Sequence, residues 1–222
     1  MSYYVRQMTR QDLDEVTEID REAFPTQWPP ADYGYEFRNH MAHYVVACDS
    51  GTNVARPSAQ PSRSLVGRLF DRLFSRRPPP PDQSPPMSHY IVGFAGFWVM
   101  AGEAHVTSIA VRAKYRRQGI GELLLISVLD LARDLQADVV TLEVRVSNTG
   151  AQNLYSKFGF KRVGERRKYY LDRGPSGETR EDAVIMTTDP IGSKEFQGLL
   201  HRLKDACAAR GIPAGQVRLT PE

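Results

Sequence analysis

Cysteine is scarce: Cys48 and Cys207 are the only two in 222 residues and lie far apart. Neither a disulfide framework nor a CxxC metal pair is suggested, and a reducing compartment, the cytoplasm, is the expectation. The five histidines have no ligand spacing on any one element, so no metal site is expected, and His40 and His43 read as surface or capping groups. No run approaches the ~20 apolar residues of a membrane span. No apolar core follows the N-terminal charges as in a secretory leader. Strong charge of one sign is absent too. A net charge of +3 suits a phosphorylated small molecule as well as nucleic acid, so no nucleic-acid partner is expected. There is no internal repeat. With 41% hydrophobic and 25% charged residues, the chain can bury one core and still carry an insertion or tail.

Taken in order, Tyr3 to Met8 reads as a strand. Thr9 with Asp12 resembles a capping box for a helix reaching Ala23, with Leu13, Val16 and Ile19 on its buried stripe. Phe24-Pro-Thr-Gln-Trp-Pro-Pro30 stops that helix, because prolines disfavour helical geometry before them. This aromatic loop is either a packed connector or one wall of a peptide groove. A short helix near 32–41 and a strand at His43 to Cys48 follow. From 49 to 88 the composition changes, holding eight of the fifteen prolines, and reads as a flexible insertion. Within it, residues 64–77 fit a short basic amphipathic helix, which either has no function of its own or docks on the domain, a partner or a membrane surface.

Tyr90 to Met100 is a long strand, and a turn at Ala101-Gly102-Glu103 leads to another ending at Val111. Next comes Arg112-Ala-Lys-Tyr-Arg-Arg-Gln-Gly-Ile-Gly121, then an amphipathic helix with Leu123, Leu124, Val128, Leu131 and Leu135 on one face. A glycine-punctuated basic turn opening a helix presents unpaired backbone N–H groups, and it can hold a pyrophosphate. Asp138 to Arg145 is a strand, Thr149 to Phe158 a helix opened by Asn148, Lys161 to Glu165 a strand, and Glu181 to Thr187 a closing strand. Tyr169 and Tyr170 lead into a Gly/Pro loop. A last helix carries Phe196, Leu199, Leu200, Leu203 and Cys207 on one face, ended by Gly211 and Pro213. The division expected is a domain over 1–190 and a helical tail over 191–222 that packs back on it.

The Arg116-Arg-Gln-Gly-Ile-Gly121 turn resembles the acetyl-CoA pyrophosphate loop of the GNAT N-acetyltransferases. Leu142-Glu-Val-Arg-Val-Ser-Asn148, Ala151-Gln-Asn-Leu-Tyr155, Gly159-Phe160, Arg167-Lys-Tyr-Tyr170 and Glu181 to Met186 resemble the bacterial ribosomal-protein-alanine N-acetyltransferases, the RimI type. The resemblance spans Tyr3 to Pro190 apart from the insertion. The insertion and the tail are departures from the family's minimal pattern.

The resemblance implies an α/β GNAT fold: a mixed sheet of about seven strands flanked by about four helices. It implies acetyl transfer from acetyl-CoA to a protein N-terminus, with a ribosomal N-terminal alanine the leading acceptor, by direct attack in a ternary complex. Glu143 stands where the family has its general base and Tyr155 where it has its general acid. Partial burial is expected to raise the Glu143 pKa, and pairing with Arg145 or Arg112 is the structural alternative. Ile109, Ala110 and Val111 would pair with the pantetheine. Arg117, Gln118, Gly119, Ile120, Gly121 and Glu122 would hold the pyrophosphate, and Asn148 would reach the pantetheine or adenine side. Phe24, Trp28, Tyr169 and Tyr170 would line the acceptor groove. A GNAT enzyme acting on lysine or a small amine, and a catalytically silent acyl-CoA-binding module, stand as alternatives.

Overall fold

A computed structural model describes residues 3–27, 29, 31–55, 87–175 and 177–212. Trp28 and the amphipathic stretch 64–77 lie outside them. Seven strands form one sheet: β1 (Tyr3–Gln7), β2 (Ala42–Ala55), β3 (Met87–Met100), β4 (Glu103–Val111), β5 (Val139–Arg145), β6 (Lys161–Gly174) and β7 (Gly177–Thr187). Their order is β1-β2-β3-β4-β5-β7-β6. The helices are α1 (Leu13–Ala23), the single turn α2 (Tyr33–Glu36), α3 (Ile120–Asp134), α4 (Thr149–Lys157) and α5 (Lys194–Ala209). Every pairing is antiparallel except β4 with β5, whose parallel run needs the crossover that α3 supplies.

Alternation along the strands builds a core on each sheet face. On β2, Tyr44, Val46 and Cys48 join Val16, Ile19, Tyr33 and Phe94 under α1 and α2. Val45 and Ala47 point the other way, into a larger cluster with α3. α3 is buried almost all round, which suits a helix covered by the sheet on one side and α5 on another. Fully burying each of its leucines contributes roughly 1.5–3 kcal/mol. Ile191, Phe196, Leu200, Cys207 and Ile212 belong to that same cluster, so the C-terminal helix packs on the domain's core.

Four elements differ from the sequence reading. β2 and β3 extend to Ala55 and Met87, which pair with each other, so 49–55 and 87–88 are strand rather than insertion. The helix near 32–41 is one turn, capped by the Asp32 carboxylate accepting from the Tyr35 N–H at 3.0 Å. β6 runs through Tyr169 and Tyr170 to Gly174, where a loop was expected. Its exposed, charged face carries no apolar alternation, and its register comes from β7.

Candidate active site

The sheet opens between its two parallel strands. β4 and β5 pair only from Glu103↔Val139 to Val106↔Leu142, although β4 continues to Val111. A bulge helps to cause this. Val106 faces Phe97 and Ser108 faces Gly96, leaving Thr107 as an extra residue that bends β4 away from β5. Ile109, Ala110 and Val111 therefore keep β3 on one side and lack β5 on the other. Ala110 turns its methyl into the core, so any ligand contact it makes goes through its backbone.

At the end of β4 the chain turns through residues 112–119 into α3. Arg117 (φ 63°) and Gly119 (φ 83°) are left-handed, and Gly119 is the N-cap. The helical ladder begins with the Leu123 N–H donating to the Gly119 carbonyl at 3.0 Å, so the amides of Gly119 to Glu122 fall outside it. The Tyr3 hydroxyl donates to Gln118 Oε1 at 2.6 Å and ties this turn to β1. The Glu122 side chain is occupied: Lys157 Nζ lies at 2.8 Å and Arg210 Nη2 at 2.5 Å.

Glu143 projects from β5 with its side chain 5% exposed. It pairs with neither Arg145 nor Arg112. His105 Nε2 on β4 donates to its Oε2 at 2.9 Å, and Arg166 Nε on β6 to its Oε1 at 3.0 Å. Burial pulls this carboxyl up, but the hydrogen bond and charge of His105 and the Arg166 guanidinium outweigh it and hold the carboxyl below the ordinary range. The expectation of a raised pKa is thereby corrected, because sequence gives the burial and not the cations. The bond to Glu143 in turn lifts His105 above its usual 6.5, against its own burial. Tyr155 on α4 is 9% exposed, beside Phe160 with ring centroids 5.7 Å apart. Burial pushes its hydroxyl up to about 12. Asn148 caps α4, its Oδ1 accepting from the Ala151 N–H at 3.1 Å.

A cleft of 460 Å³ brings Ile109, Glu143, Asn148, Tyr155, Phe24, Tyr169 and Tyr170 together with His105 and Ser108. Its far wall is the β6–β7 hairpin. There the Tyr170 hydroxyl donates to the Glu143 carbonyl at 2.9 Å, and Arg145 lies 4.3 Å over the Tyr170 ring. Arg145 also reaches Asp172 at 2.8 Å and Glu181 at 3.1 Å. The aromatic loop after α1 joins this wall through Thr26 Oγ1 donating to Asp172 at 3.0 Å and the Arg173 N–H donating to the Thr26 carbonyl at 2.8 Å. Residues 117–122 stand outside this lining, at the start of α3.

The profile described as the Acetyltransferase (GNAT) family matches residues 81–160. A Bacillus subtilis relative, provisionally named a ribosomal protein bS18-alanine N-acetyltransferase, is 32% identical over 183 residues, covering 82% of this chain and 92% of its own. This chain belongs to the GNAT acetyltransferase family. The N-alpha-acetyltransferase RimI of Mycobacterium tuberculosis is 33% identical over 174 residues, 78% of this chain and 87% of that one. The crystal structure of the ribosomal-protein-S18-alanine N-acetyltransferase from Escherichia coli shares the fold, with a TM-score of 0.61 at 24% identity over 86% of this chain and 96% of that one. No helix among the described residues is long and apolar enough to cross a membrane.

In this GNAT domain His105 and Arg166 are the site residues that sequence reasoning passed over. A usable signal existed for the first. His105 sits opposite Thr141, so Glu143 is two residues further on the same face of the neighbouring strand, and both interrupt apolar strands. Arg166 carried no such mark, since it is one of a run of basic residues.

Proposed function

We propose that this protein transfers the acetyl group of acetyl-CoA to the N-terminal α-amino group of a protein, with an N-terminal alanine of a ribosomal protein the leading acceptor. The Glu143–His105 pair beside the gap between β4 and β5 carries the reading. Acetyl-CoA supplies a thioester carbonyl. The fit of the chain to it rests on a strand segment at Ile109 to Val111 that has β3 on one side and no strand on the other, a left-handed turn at Arg117 to Gly119, and the open amides of Gly119 to Glu122. Glu122 contributes its amide there, its carboxylate being engaged elsewhere.

An α-amine of pKa ~7.7–8.0 must lose a proton before it attacks. Glu143 alone is a poor match, since its carboxyl lies below an ordinary glutamate. His105, raised toward the amine's range, is a better one. The pair therefore works as a unit: the ammonium's proton passes through the Glu143 carboxylate to Nε2 of neutral His105, which then donates to that carboxylate. The freed nitrogen adds to the carbonyl carbon, the C–S bond breaks, and the thiolate leaves. Tyr155 stays protonated at neutral pH and donates a hydrogen bond to the departing sulfur. Full proton transfer from a phenol near 12 to a thiolate, whose thiol has pKa ~8.5, is uphill, so solvent supplies the final proton. Attack is direct: Cys48 and Cys207 are buried in the two cores, away from the cleft lining.

An α-amine is favoured over a lysine, whose pKa of ~10.4 would demand a stronger base than this pair offers. The names borne by the relatives support the same choice. The test pairs acetyl-CoA and the enzyme with alanine-initiated peptides whose N-terminus is free or blocked. Acetylation of the free α-amine alone is expected. Modification confined to blocked, lysine-bearing peptides would overturn the reading.

A further inference from the structure

The C-terminal helix does more than cover the core, because its last turn meets the turn that opens α3. α5 ends with the Gly211 N–H donating to the Ala208 carbonyl at 2.9 Å and the Ile212 N–H donating to the Cys207 carbonyl at 3.0 Å, with Gly211 left-handed at φ 74°. This paired closure throws the next apolar side chain back toward the protein. Here that side chain is Ile212, 8% exposed, and it lands on Gly119. A Cβ on Gly119 would collide with Ile212 Cδ1. The positive φ is what requires glycine at 119, and Ile212 fills the space that glycine leaves. One turn along α3, Arg210 donates to both Glu122 oxygens, at 3.1 and 2.5 Å, and the Cys207 thiol donates to Oε2 at 3.3 Å. Lys157 completes the cluster at 2.8 Å.

We propose that Ile212 and Arg210 are positioning residues for acetyl-CoA: the C-terminal turn of α5 holds the Gly119 turn in its ligand-ready shape and neutralises Glu122 beside it. The inference rests on the reading that residues 117–122 hold the pyrophosphate. Two effects follow from the geometry. Ile212 wedges the buried side of Gly119, so the amides of the first α3 turn are fixed before the ligand arrives and the ordering cost at binding falls. Arg210 offsets a carboxylate that would otherwise face a dianionic ligand from the first helical turn. With Lys157 the cluster holds two cations against one carboxylate. Removing Arg210 leaves one against one.

The test uses the full chain and CoA alone as the probe, with dissociation constants from calorimetry and the melting temperature of each variant. Ile212→Ala and Arg210→Gln are each expected to weaken CoA about tenfold and raise the KM for acetyl-CoA in step, with kcat and the acceptor KM within about twofold of wild type. Ile212→Val should recover most of the loss. Adding Glu122→Gln to Arg210→Gln should recover affinity too, which a purely structural role for Arg210 would not give. Gly121→Asp, which puts a carboxylate on the amides themselves, is the control for the site. If it abolishes CoA binding while Ile212→Ala and Arg210→Gln bind as wild type, the positioning proposal is wrong and the site stands. If Gly121→Asp binds normally, the site reading fails and takes the proposal with it. Should Ile212→Ala lower the melting temperature sharply, exposed Arg210→Gln and its double variant decide alone.

Discussion

The turn that opens α3 and the hairpin wall of the cleft, the proposed donor and acceptor ends, are built in different ways. At the proposed donor end the groups left open are backbone amides, shaped by left-handed residues at 117 and 119 and braced by Tyr3 on one side and Ile212 on the other. At the acceptor end the wall is a long hairpin with little apolar burial along β6, held to its neighbours by charge: Arg145 to Asp172 and Glu181, the Ser147 N–H to Glu181, and Thr26 to Asp172. A ligand end that never changes can be gripped by amides, which no side-chain substitution deletes. An acceptor that is a polypeptide needs a wall whose side chains set its shape. The ion pairs that hold the acceptor wall should weaken as ionic strength rises.

The largest expected effect lies between the two ends. Glu143→Gln should lower kcat/KM by about 10²–10⁴ while leaving the calorimetric affinity for CoA unchanged. An equal loss of CoA affinity would show that Glu143 belongs to the donor end. Tyr155→Phe removes one hydrogen bond to a developing thiolate, and a rate loss of about 10–100-fold in kcat is expected with both KM values steady. Arg145→Ala breaks the link between β5 and the hairpin. The acceptor KM should rise about tenfold, the KM for acetyl-CoA should hold, and added salt should reproduce part of the effect in wild type.

The smallest effect concerns protons. By NMR titration His105 should lose its proton above 6.5 in wild type and return toward that value in Glu143→Gln. The sign follows from both partners. Stabilisation from raised His105 is present at low pH and lost as pH rises through its raised pKa. That from lowered Glu143 is present above the usual carboxyl range and lost as pH falls through its lowered pKa. The pair is complete only between those two values, and thermal unfolding of His105→Asn against wild type should differ only there.

The same division governs what could be read from sequence. The strand, basic turn and α3 were legible because a glycine pattern and a helical apolar stripe are local signals, and the seven strands followed mostly from alternation. Tyr169 and Tyr170 carry no strand signal in the sequence, because β6 is exposed along most of its length. Only its pairing with β7, as in Tyr170↔Glu181, makes it strand. Glu143 was found from its context, but its partners were not. His105 meets it across a parallel pairing separated in sequence by the whole of α3, and Arg166 comes from β6, beyond β7 in the sheet. The charge state of Glu143 depends on those distant contacts, which is why burial alone points its pKa the wrong way.

Ala55 and Met87 face each other across β2 and β3. Whatever the chain does from 56 to 86, it leaves and re-enters the sheet at neighbouring positions on one hairpin. The free-energy cost of closing such a segment grows only with the logarithm of its length, about 0.6 kcal/mol for each doubling. Length at this tip is thus nearly neutral to folding, and the hairpin can gain or lose sequence without moving the strands that shape the cleft. It is the natural address in this protein for a graft.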